Sequence, residues 1–444
     1  MDWKQAYQQR LVSAAEAAKV VKSGDWVEYA FGVASGCAFD EALAARKDEL
    51  ADVKIRCDIG AYPHFTLEND PELKTFTWNS WHVSAHDKKW LGKGLYYIPM
   101  KFHENPTLIR NNCDPDDVFV AMVSPMDKHG YFSWGAGGAA AMAAHETAKV
   151  TVLEVNPKMP RVLGGGQECV HVSDVDYIIE AETALPILTP SQANEVESKI
   201  ASHIAPRLRD GSCLQLGIGG VPNAVGTVIS GSDLKDLGVH TEMYVDAYIE
   251  MYKAGKITGK YKNLDKYKQV FAFAMGSEEL YDFIDDNPGC VAYNVDYTND
   301  PKIIAQIDNF VSINACIEVD LYGQVAAETV GTRHISGTGG QLDFVEGAFK
   351  SQGGQSFICL ASSKALKDGT VTSTINPILT PGAIVTTPRT ATHMIVTEYG
   401  IADMKGKSTW ERAEALIGIA HPDFQDELIA KAEAQAIWRK SNKR

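Results

Sequence analysis

Apolar runs alternate with amphipathic segments along most of the chain. The runs Val118–Val123 and Val150–Val155 are rich in β-branched residues and predict buried strands, while segment 138–149 between them predicts a helix. Buried strands that alternate with helices are typical of parallel sheets covered by helices. The pattern therefore predicts an α/β fold.

Two further segments have the pattern of amphipathic helices. In segment 190–208 an apolar residue recurs at every fourth position, and the Thr-Pro-Ser-Gln stretch at its beginning predicts a helix start and a new structural unit. Segment 424–438 is rich in Ala, Glu and Lys, which predicts a terminal helix anchored by Leu428, Ile429 and Trp438.

The two halves of the chain repeat one plan. In the first half Gly24 precedes a strand and the glycine-containing segment 32–36, and in the second half Gly211 precedes a strand and the glycine-containing segment 217–220. Such short turns also occur in unrelated loops, so each match alone is weak. Their common order predicts two similar domains.

A second pair of turns continues the repeat. Each half carries an Asp-x-x-Gly stretch after an apolar strand, at 127–130 and at 320–323. We therefore expect an N-terminal α/β domain at 1–188 and a C-terminal α/β domain at 189–444. Ligand sites favour domain interfaces and the carboxyl ends of strands, so the site is expected between the two halves.

Composition limits the class of protein. The 444 residues are 45% hydrophobic, with a net charge of -15, which argues against a nucleic-acid partner or an anionic membrane surface. No stretch resembles a signal peptide or approaches the ~18 apolar residues of a membrane span. We expect a globular, cytoplasmic protein.

Cysteine and histidine spacing indicates neither disulfides nor a metal. The eight cysteines form no Cys-x-x-Cys pair, which predicts reduced and mostly buried thiols. A catalytic cysteine is the alternative, and only Cys169 has a histidine, His171, close by in sequence. The twelve histidines form no ligand-like cluster, so we expect no metal.

A glycine-rich loop follows an apolar strand in the second half. Glycines at a strand exit let backbone N–H groups approach a ligand without obstruction by a Cβ atom, which suits a phosphate or an oxyanion. About twenty residues later comes Glu242, which lies between Thr241 and Met243 instead of beside a basic partner. The loop residues are Gly217, Ile218, Gly219, Gly220 and Val221.

A second glycine cluster, with Gly339 and Gly340, lies in segment 336–344. Neither cluster completes the dinucleotide fingerprint or the Lys-Ser/Thr of a phosphate loop, so neither a dehydrogenase nor a nucleotide hydrolase is indicated. The two loops are suited to an oxyanion, and Glu242 is a candidate nucleophile. Together these features fit acyl transfer better than hydride or phosphoryl transfer.

Several longer motifs carry a family resemblance. They are Gly-Ile-Gly-Gly-Val-Pro-Asn-Ala at 217–224, His-Thr-Glu-Met at 240–243, Ser-Gly-Thr-Gly-Gly-Gln-Leu-Asp-Phe at 336–344 and Ile-Ala-His-Pro-Asp-Phe at 419–424. Together with segments 123–132, 154–161 and 396–400, they resemble the acetyl-CoA hydrolase/transferase branch of family I CoA-transferases over nearly the whole chain. Butyryl-CoA:acetate and 4-hydroxybutyrate CoA-transferases look most similar.

The resemblance implies two similar tandem open α/β CoA-transferase domains, with the active site at their interface and the catalytic glutamate in the C-terminal domain. It implies that Glu242 attacks butyryl-CoA or a similar short-chain acyl-CoA and holds CoA as a glutamyl-CoA thioester. Acetate then takes the CoA in a ping-pong reaction. CoA thioesters are substrates, so no cofactor is implied, and a homo-oligomer is typical of the family.

The resemblance also implies further site residues. Gly217 to Val221 and Gly339 with Gly340 correspond to loops that bind CoA and an oxyanion, with structural turns as the alternative. Asn314 corresponds to an amide at the site, although a buried Asn that satisfies a strand end is the alternative. Lys367 corresponds to a lysine near CoA, although Lys-Asp-Gly is also a common surface turn.

Three other functions remain open at this point. An acyl-CoA hydrolase would use the same glutamate, with water in place of acetate. A 4-hydroxybutyrate or propionate CoA-transferase would differ only in the acyl group. A CoA or sugar-phosphate sensor would keep the loops and make the glutamate dispensable.

Overall fold

The computed structural model describes residues 2–189 and 192–440. The strands are β1 Trp26–Tyr29, β2 Val53–Cys57, β3 Phe76–Ser80, β4 Leu95–Tyr97, β5 Val118–Val123, β6 Tyr131–Ser133, β7 Val150–Val155, β8 Cys169–His171, β9 Tyr177–Glu180, β10 Cys213–Leu216, β11 Gly238–Tyr244, β12 Gln269–Ala274, β13 Cys290–Ala292, β14 Phe310–Ala315, β15 Glu318–Asp320, β16 Val325–Ala326, β17 Thr329–Val330, β18 Arg333–His334, β19 Gln355–Cys359, β20 Ser363–Ala365, β21 Val371–Ser373, β22 Ile375–Asn376, β23 Met394–Thr397 and β24 Gly400–Asp403.

Helices connect most of these strands. They are α1 Trp3–Arg10, α2 Ala14–Ala17, α3 Cys37–Ala44, α4 Phe65–Asn69, α5 Asn105–Asn111, α6 Ala141–Thr147, α7 Glu195–Ile204, α8 Gly220–Ser230, α9 Asp246–Lys253, α10 Glu278–Ile284, α11 Val295–Thr298, α12 Pro301–Ile304, α13 Gln341–Lys350, α14 Thr409–Gly418 and α15 Pro422–Ala434. Within the described residues, no helix is both long and apolar enough to cross a membrane.

The first sheet is parallel throughout and has the strand order β4-β3-β2-β1-β5-β7-β9. All six residues of β5 are buried, as expected for a strand covered on both faces. The predicted strands Val118–Val123 and Val150–Val155 are both present, with α6 between them. The α/β fold class is confirmed.

The second sheet has the order β13-β12-β11-β10-β14-β19-β23-β24. Its first seven strands follow one another in the same order as those of the first sheet, so that β10 corresponds to β1, β11 to β2 and β14 to β5. Only the final strand, β24, is an addition, and it pairs antiparallel with β23. The shared strand order confirms the internal repeat.

The two Asp-x-x-Gly turns have the same hydrogen bonds. The carboxylate of Asp127 accepts the N–H groups two and four residues further on, at 2.8 and 2.9 Å, and Asp320 does the same at 3.0 and 2.9 Å. The closing residues Gly130 and Gly323 have φ of +93° and +87°, which L-residues with a side chain rarely adopt. The repeat therefore extends to individual turns.

Two of the predicted helices have different bounds. The helix expected at 190–208 begins at Glu195, because Asn194 and Glu197 form a capping box there; residues 190 and 191 lie outside the described residues. The terminal helix expected at 424–438 covers Pro422–Ala434 and ends before Ala436, whose φ is +59°. Trp438 therefore lies beyond the helix.

By their contacts, the described residues form two compact units that interleave along the chain. The first comprises Met1–Thr189, Thr241–Asp246 and Lys268–Asn299, and the second comprises Pro190–His240, Ala247–Tyr267 and Asp300–Arg444. This grouping differs from a single division after residue 188, since the segment with Glu242 belongs to the first unit. The domains 1–188 and 189–444 stay a prediction.

Each unit has its own apolar core. In the first unit the core includes Val27, Ile55 and Trp78 from three adjacent strands, and in the second it includes Ile358 and Ile395. Leu428 is buried in that second core, and Ile429 and Trp438 pack against it, as predicted for the anchors of the terminal segment.

A buried ion triad joins three segments of the first unit. The guanidinium of Arg56 on β2 donates to Glu28 on β1 at 2.6 Å and also to Asp116. All three side chains are at most 5% exposed. Removing one charge from such a triad leaves the other charges buried without compensation.

We expect Arg56→Ala to lower the free energy of unfolding by ~3–5 kcal/mol, because Glu28 and Asp116 lose their counter-charge. Lys19→Ala is the control, since the Lys19–Glu16 pair is 65% and 54% exposed; its effect should stay within ~1 kcal/mol. Urea unfolding followed by fluorescence measures both. Equal losses in the two variants would contradict a role of the triad in stability.

Candidate active site

Glu242 is the least buried residue of β11. Its strand neighbours are buried, and Thr241 is held by a hydrogen bond from its hydroxyl to the carbonyl oxygen of Met243, at 3.1 Å. Glu242 is thus a half-buried residue on an otherwise buried strand, and the sheet fixes its backbone position. This geometry agrees with the interpretation of Glu242 as a reactive group.

The amide of Asn299 orients the carboxylate of Glu242. Its Nδ2 atom donates to Oε2 of Glu242 at 2.6 Å, and its Oδ1 atom accepts the hydroxyl of Thr298 at 2.9 Å. Asn299 is completely buried, so its orientation is fixed by these contacts. Sequence reasoning missed Asn299, because nothing in the sequence links a residue after α11 to β11.

A second carboxyl group, Asp58, lies near Glu242. Asp58 directly follows β2, and its backbone oxygen accepts the N–H of Gly32 at 2.9 Å. Burial raises its pKa well above the usual range of an aspartate, and the charge of Glu242 raises that pKa further. Sequence reasoning missed Asp58 too, although the internal repeat carries a signal for it.

Three aromatic side chains cluster next to Gly32, the residue that donates to the backbone oxygen of Asp58. The ring of Phe31, next to Gly32, lies 4.2 Å from the ring of Phe273 and 5.3 Å from that of Phe102, measured between centroids. All three rings are at most 6% exposed. An aromatic cluster therefore lies beside Gly32, whose N–H group donates to the backbone oxygen of Asp58.

The first glycine loop connects β10 to α8 in the second unit. Gly217 donates its N–H to the carbonyl oxygen of Ile313 at 2.8 Å, Gly219 has φ of +113°, and Gly220 begins α8. A Cβ atom on Gly220 would lie 1.8 Å from the carboxylate of Glu197. The loop therefore requires glycine for backbone conformation at one position and for space at another, and it leads into a helix N-terminus, as an anion site requires.

Individual loop residues have different surroundings. Ile218 is 61% exposed at the tip of the loop, whereas Val221 is buried in the first turn of α8. A Cβ atom on Gly217 would lie 3.1 Å from Oδ1 of Asn314. The structure thus brings the predicted loop and Asn314 together.

Asn314 takes part in a buried amide pair. It exchanges two hydrogen bonds of 3.1 Å with the side chain of Gln215 and donates to Ser312 at 2.9 Å. Asn314 is 9% exposed, so it satisfies the end of a buried strand and also underlies the loop at Gly217. Both interpretations of this residue fit its position.

The remaining predicted residues lie on other elements of the second unit. Gly339, with φ of +53°, and Gly340 directly precede α13. Lys367 is exposed in the turn between β20 and β21, where Leu366 donates its N–H to the carbonyl oxygen of Thr370 at 2.8 Å. This is the geometry of a surface hairpin.

The thiols are not activated as nucleophiles. All eight cysteines are free, and burial raises the pKa of each, to about 11 in the case of Cys169. The ring of His171 bonds Ser173 at 2.7 Å. Among residues 2–189 and 192–440, no group of three or more His, Cys, Asp or Glu side chains could hold a metal ion.

We expect Gly219→Ala to lower the free energy of unfolding by ~1–3 kcal/mol, because an L-residue is strained at φ +113° and ψ −175° even though no atom obstructs a Cβ there. Gly231→Ala, at the other end of α8 with φ of −87°, is the matched control and should change it by less than ~0.5 kcal/mol. Urea unfolding compares the two, and equal stability would exclude strain at Gly219.

Comparison with known proteins defines the family. Residues 1–189 match the acetyl-CoA hydrolase/transferase N-terminal domain, and residues 276–432 match the C-terminal domain of the same family. A probable butyrate:acetyl-CoA coenzyme A-transferase of Syntrophomonas wolfei is 68% identical, with 98% of each chain covered. A butyryl-CoA:acetate CoA-transferase of Anaerostipes caccae is 51% identical, with 100% of each chain covered.

The solved structures agree with the sequence matches. The crystal structure of RipA from Yersinia pestis superimposes with a TM-score of 0.91 at 36% identity, covering 98% of this chain and 100% of that one. The family predicted from the motifs is confirmed. The chain belongs to the acetyl-CoA hydrolase/transferase family of CoA-transferase enzymes.

Proposed function

We propose that this enzyme moves CoA from butyryl-CoA, or a similar short-chain acyl-CoA, to acetate through a glutamyl-CoA thioester on Glu242. The relatives that are 68% and 51% identical over nearly their whole length are named for butyrate or butyryl-CoA and for acetate or acetyl-CoA. The single observation that carries the residue assignment is the oriented carboxylate of Glu242, with buried Asn299 bonded to one of its oxygens at 2.6 Å.

The first half-reaction loads CoA onto the enzyme. A carboxylate oxygen of Glu242 attacks the thioester carbonyl carbon of butyryl-CoA, the C–S bond breaks, and CoA thiolate leaves a mixed anhydride. The thiolate then attacks the glutamyl carbonyl carbon, and butyrate leaves. Each step forms one bond and breaks one bond, with no net transfer of a proton.

The second half-reaction runs the same steps with acetate. Acetate attacks the glutamyl carbonyl carbon, CoA thiolate leaves, and the thiolate then attacks the acetyl carbonyl carbon to give acetyl-CoA and free Glu242. Butyrate departs before acetate enters, so the kinetics are ping-pong. The energy of the thioester is retained, because both the substrate and the product are thioesters.

The glycine loops are assigned to CoA and to the oxyanions of these steps. The N–H groups of residues 219–221 lie at the start of α8, where backbone donors and the helix dipole favour negative charge, while Gly217 anchors the loop through its bond to Ile313. Gly339 and Gly340 have the corresponding role before α13. Asn314 is assigned to the site from the family resemblance, and Gln215 holds it beneath the loop at Gly217. Lys367 is assigned to CoA from the family resemblance alone.

The proposed setting is the cytoplasm, with acyl-CoA and short-chain carboxylates as the partners and with no nucleic acid or membrane. The reaction as written uses no ATP and no metal, and CoA is a substrate throughout. A homo-oligomer is the assembly that the family resemblance implies.

A time course with butyryl-CoA, with and without acetate, tests the reaction. Chromatography of butyryl-CoA, acetyl-CoA and free CoA should show acetyl-CoA forming only when acetate is present, with little free CoA. Free CoA released at the same rate without acetate would show a hydrolase instead. Faster turnover of 4-hydroxybutyryl-CoA or propionyl-CoA would change the acyl group and leave the mechanism intact.

We expect Glu242→Ala and Glu242→Gln to lose exchange activity by on the order of 10⁴-fold or more, because neither side chain can form the thioester. Incubation of the wild type with butyryl-CoA alone should add the mass of CoA less one water to the peptide that contains Glu242, and the adduct should be absent from both variants. Glu250→Gln, an exposed position on α9, is the control and should keep both activity and adduct. Exchange that persists in Glu242→Gln would overturn the mechanism.

A further inference from the structure

The internal repeat makes Asp58 the counterpart of Glu242. Val27 lies three residues after Gly24, as Leu214 does after Gly211, and in the two sheets these residues pair with Ile55 and Val239, respectively. Asp58 lies three residues beyond Ile55, as Glu242 lies three residues beyond Val239. Both halves of the chain thus present a carboxyl group three residues beyond the same paired position of β2 and β11.

Asp58 is buried and incompletely hydrogen-bonded. It is 6% exposed, and its Oδ1 atom is buried without a hydrogen-bond partner. Buried polar atoms are almost always hydrogen-bonded, and those that are not often have a functional role. The unsatisfied oxygen lies in the same compact unit as Glu242 and close enough for the two charges to interact.

We propose that Asp58 is a second substrate-binding carboxyl group, which donates a hydrogen bond to the carboxylate of the acid substrate beside Glu242. The inference rests on the function proposed for Glu242 and extends it by naming the residue that recognises the carboxylate. It assigns a role to a residue outside the motifs that carry the family resemblance.

The protonation state of Asp58 makes this role chemically consistent. Burial and the negative charges of Glu242, Glu28 and Asp87 keep its pKa well above the usual range, so the neutral acid is favoured. Glu28 is paired with Arg56 and Asp87 with His64, each at 2.6 Å. A neutral carboxyl group is a hydrogen-bond donor, whereas a charged one would repel acetate.

The state of Glu242 changes during the reaction. In the proposed mechanism Glu242 attacks as the carboxylate and is neutral once it carries CoA as a thioester. The acid substrate then takes the place of Glu242 as the negative group next to Asp58, and an O–H···O⁻ hydrogen bond from Asp58 stabilises it more strongly than a bond between neutral groups. Asp58 thus needs to donate its hydrogen bond only while the carboxylate of the acid substrate is bound.

The test compares Asp58→Ala and Asp58→Asn with the wild type in steady-state assays of acetate and butyryl-CoA. We expect the KM for acetate to rise by about 10- to 100-fold in Asp58→Ala, which is the size of effect expected for a hydrogen bond to a charged group. The KM for butyryl-CoA should change by less than about threefold. Asp58→Asn should lie between, because its amide still donates.

The pH profile separates this role from a structural one. In the wild type, the KM for acetate should rise as the pH rises through the raised pKa of Asp58, since the donor is lost on ionisation. In Asp58→Asn the donor does not ionise, so this rise should disappear. A purely structural role would alter stability without removing the pH dependence.

Asp40→Asn is the matched control for removal of a buried acid. Asp40 is 4% exposed in the same unit, burial raises its pKa to about 6, and it accepts hydrogen bonds from Tyr29 and Thr66. The variant should change thermal stability while leaving the KM for acetate and its pH profile as in the wild type. An equal rise in that KM would assign the effect to loss of stability and overturn the proposal.

The CoA adduct separates failure of this inference from failure of the proposed function. If Asp58→Ala forms the glutamyl-CoA adduct and keeps the wild-type KM for acetate, Asp58 has no role in binding and the mechanism stands. If the adduct is absent from the wild type and Glu242→Gln remains active, the mechanism itself fails. A pH dependence that persists in Asp58→Asn also overturns the role of Asp58.

Discussion

The parallel pairing of β1 with β2, and of β10 with β11, sets the positions of Asp58 and Glu242. Val27 pairs with Ile55 in one sheet and Leu214 pairs with Val239 in the other, in parallel register. A shift by one residue would turn every following side chain to the opposite face of the sheet. The positions of Asp58 and Glu242 therefore depend on backbone hydrogen bonds several residues away.

The same register has different chemical results in the two halves. The first strands carry Glu28 in one half and Gln215 in the other, each four residues after the turn glycine. Glu28 pairs with Arg56 in a buried ion triad, while Gln215 forms a neutral amide pair with Asn314. The first half thus uses charge at this position for internal pairing, whereas the second half has a neutral network beneath the glycine loop.

The sequence predicted the layers of the fold and the family correctly, and it nominated Glu242, but it did not predict the contacts around that acid. Long apolar strands and paired turns are local patterns, so β5, β7 and the internal repeat could be predicted from the sequence. The contact of Asn299 with Glu242 could not be predicted in this way, because it joins residues that lie 57 positions apart in the chain. Asp58 was accessible in principle, but only the strand register shows that it corresponds to Glu242.

Helix limits depended on interactions that periodicity does not show. The capping box at Asn194 set the start of α7, and the positive φ of Ala436 separates Trp438 from α15 although its apolar contacts were predicted correctly. For Lys367 the local turn chemistry alone accounts for the observed hairpin. A family motif can therefore nominate such a residue, whereas only the fold shows what surrounds it.

Burial of Asp58 bears on the selectivity of the proposed reaction and on protection of the proposed intermediate. The rings of Phe31, Phe102 and Phe273 are buried beside Gly32, which donates its N–H to the backbone oxygen of Asp58, and the burial that raises the pKa of this acid also disfavours free water. Water and acetate compete for the same glutamyl carbon. A neutral donor forms a charge-assisted hydrogen bond with acetate and only an ordinary one with water, so it favours transfer over hydrolysis. Under this mechanism, the enzyme distinguishes its two acceptors by charge.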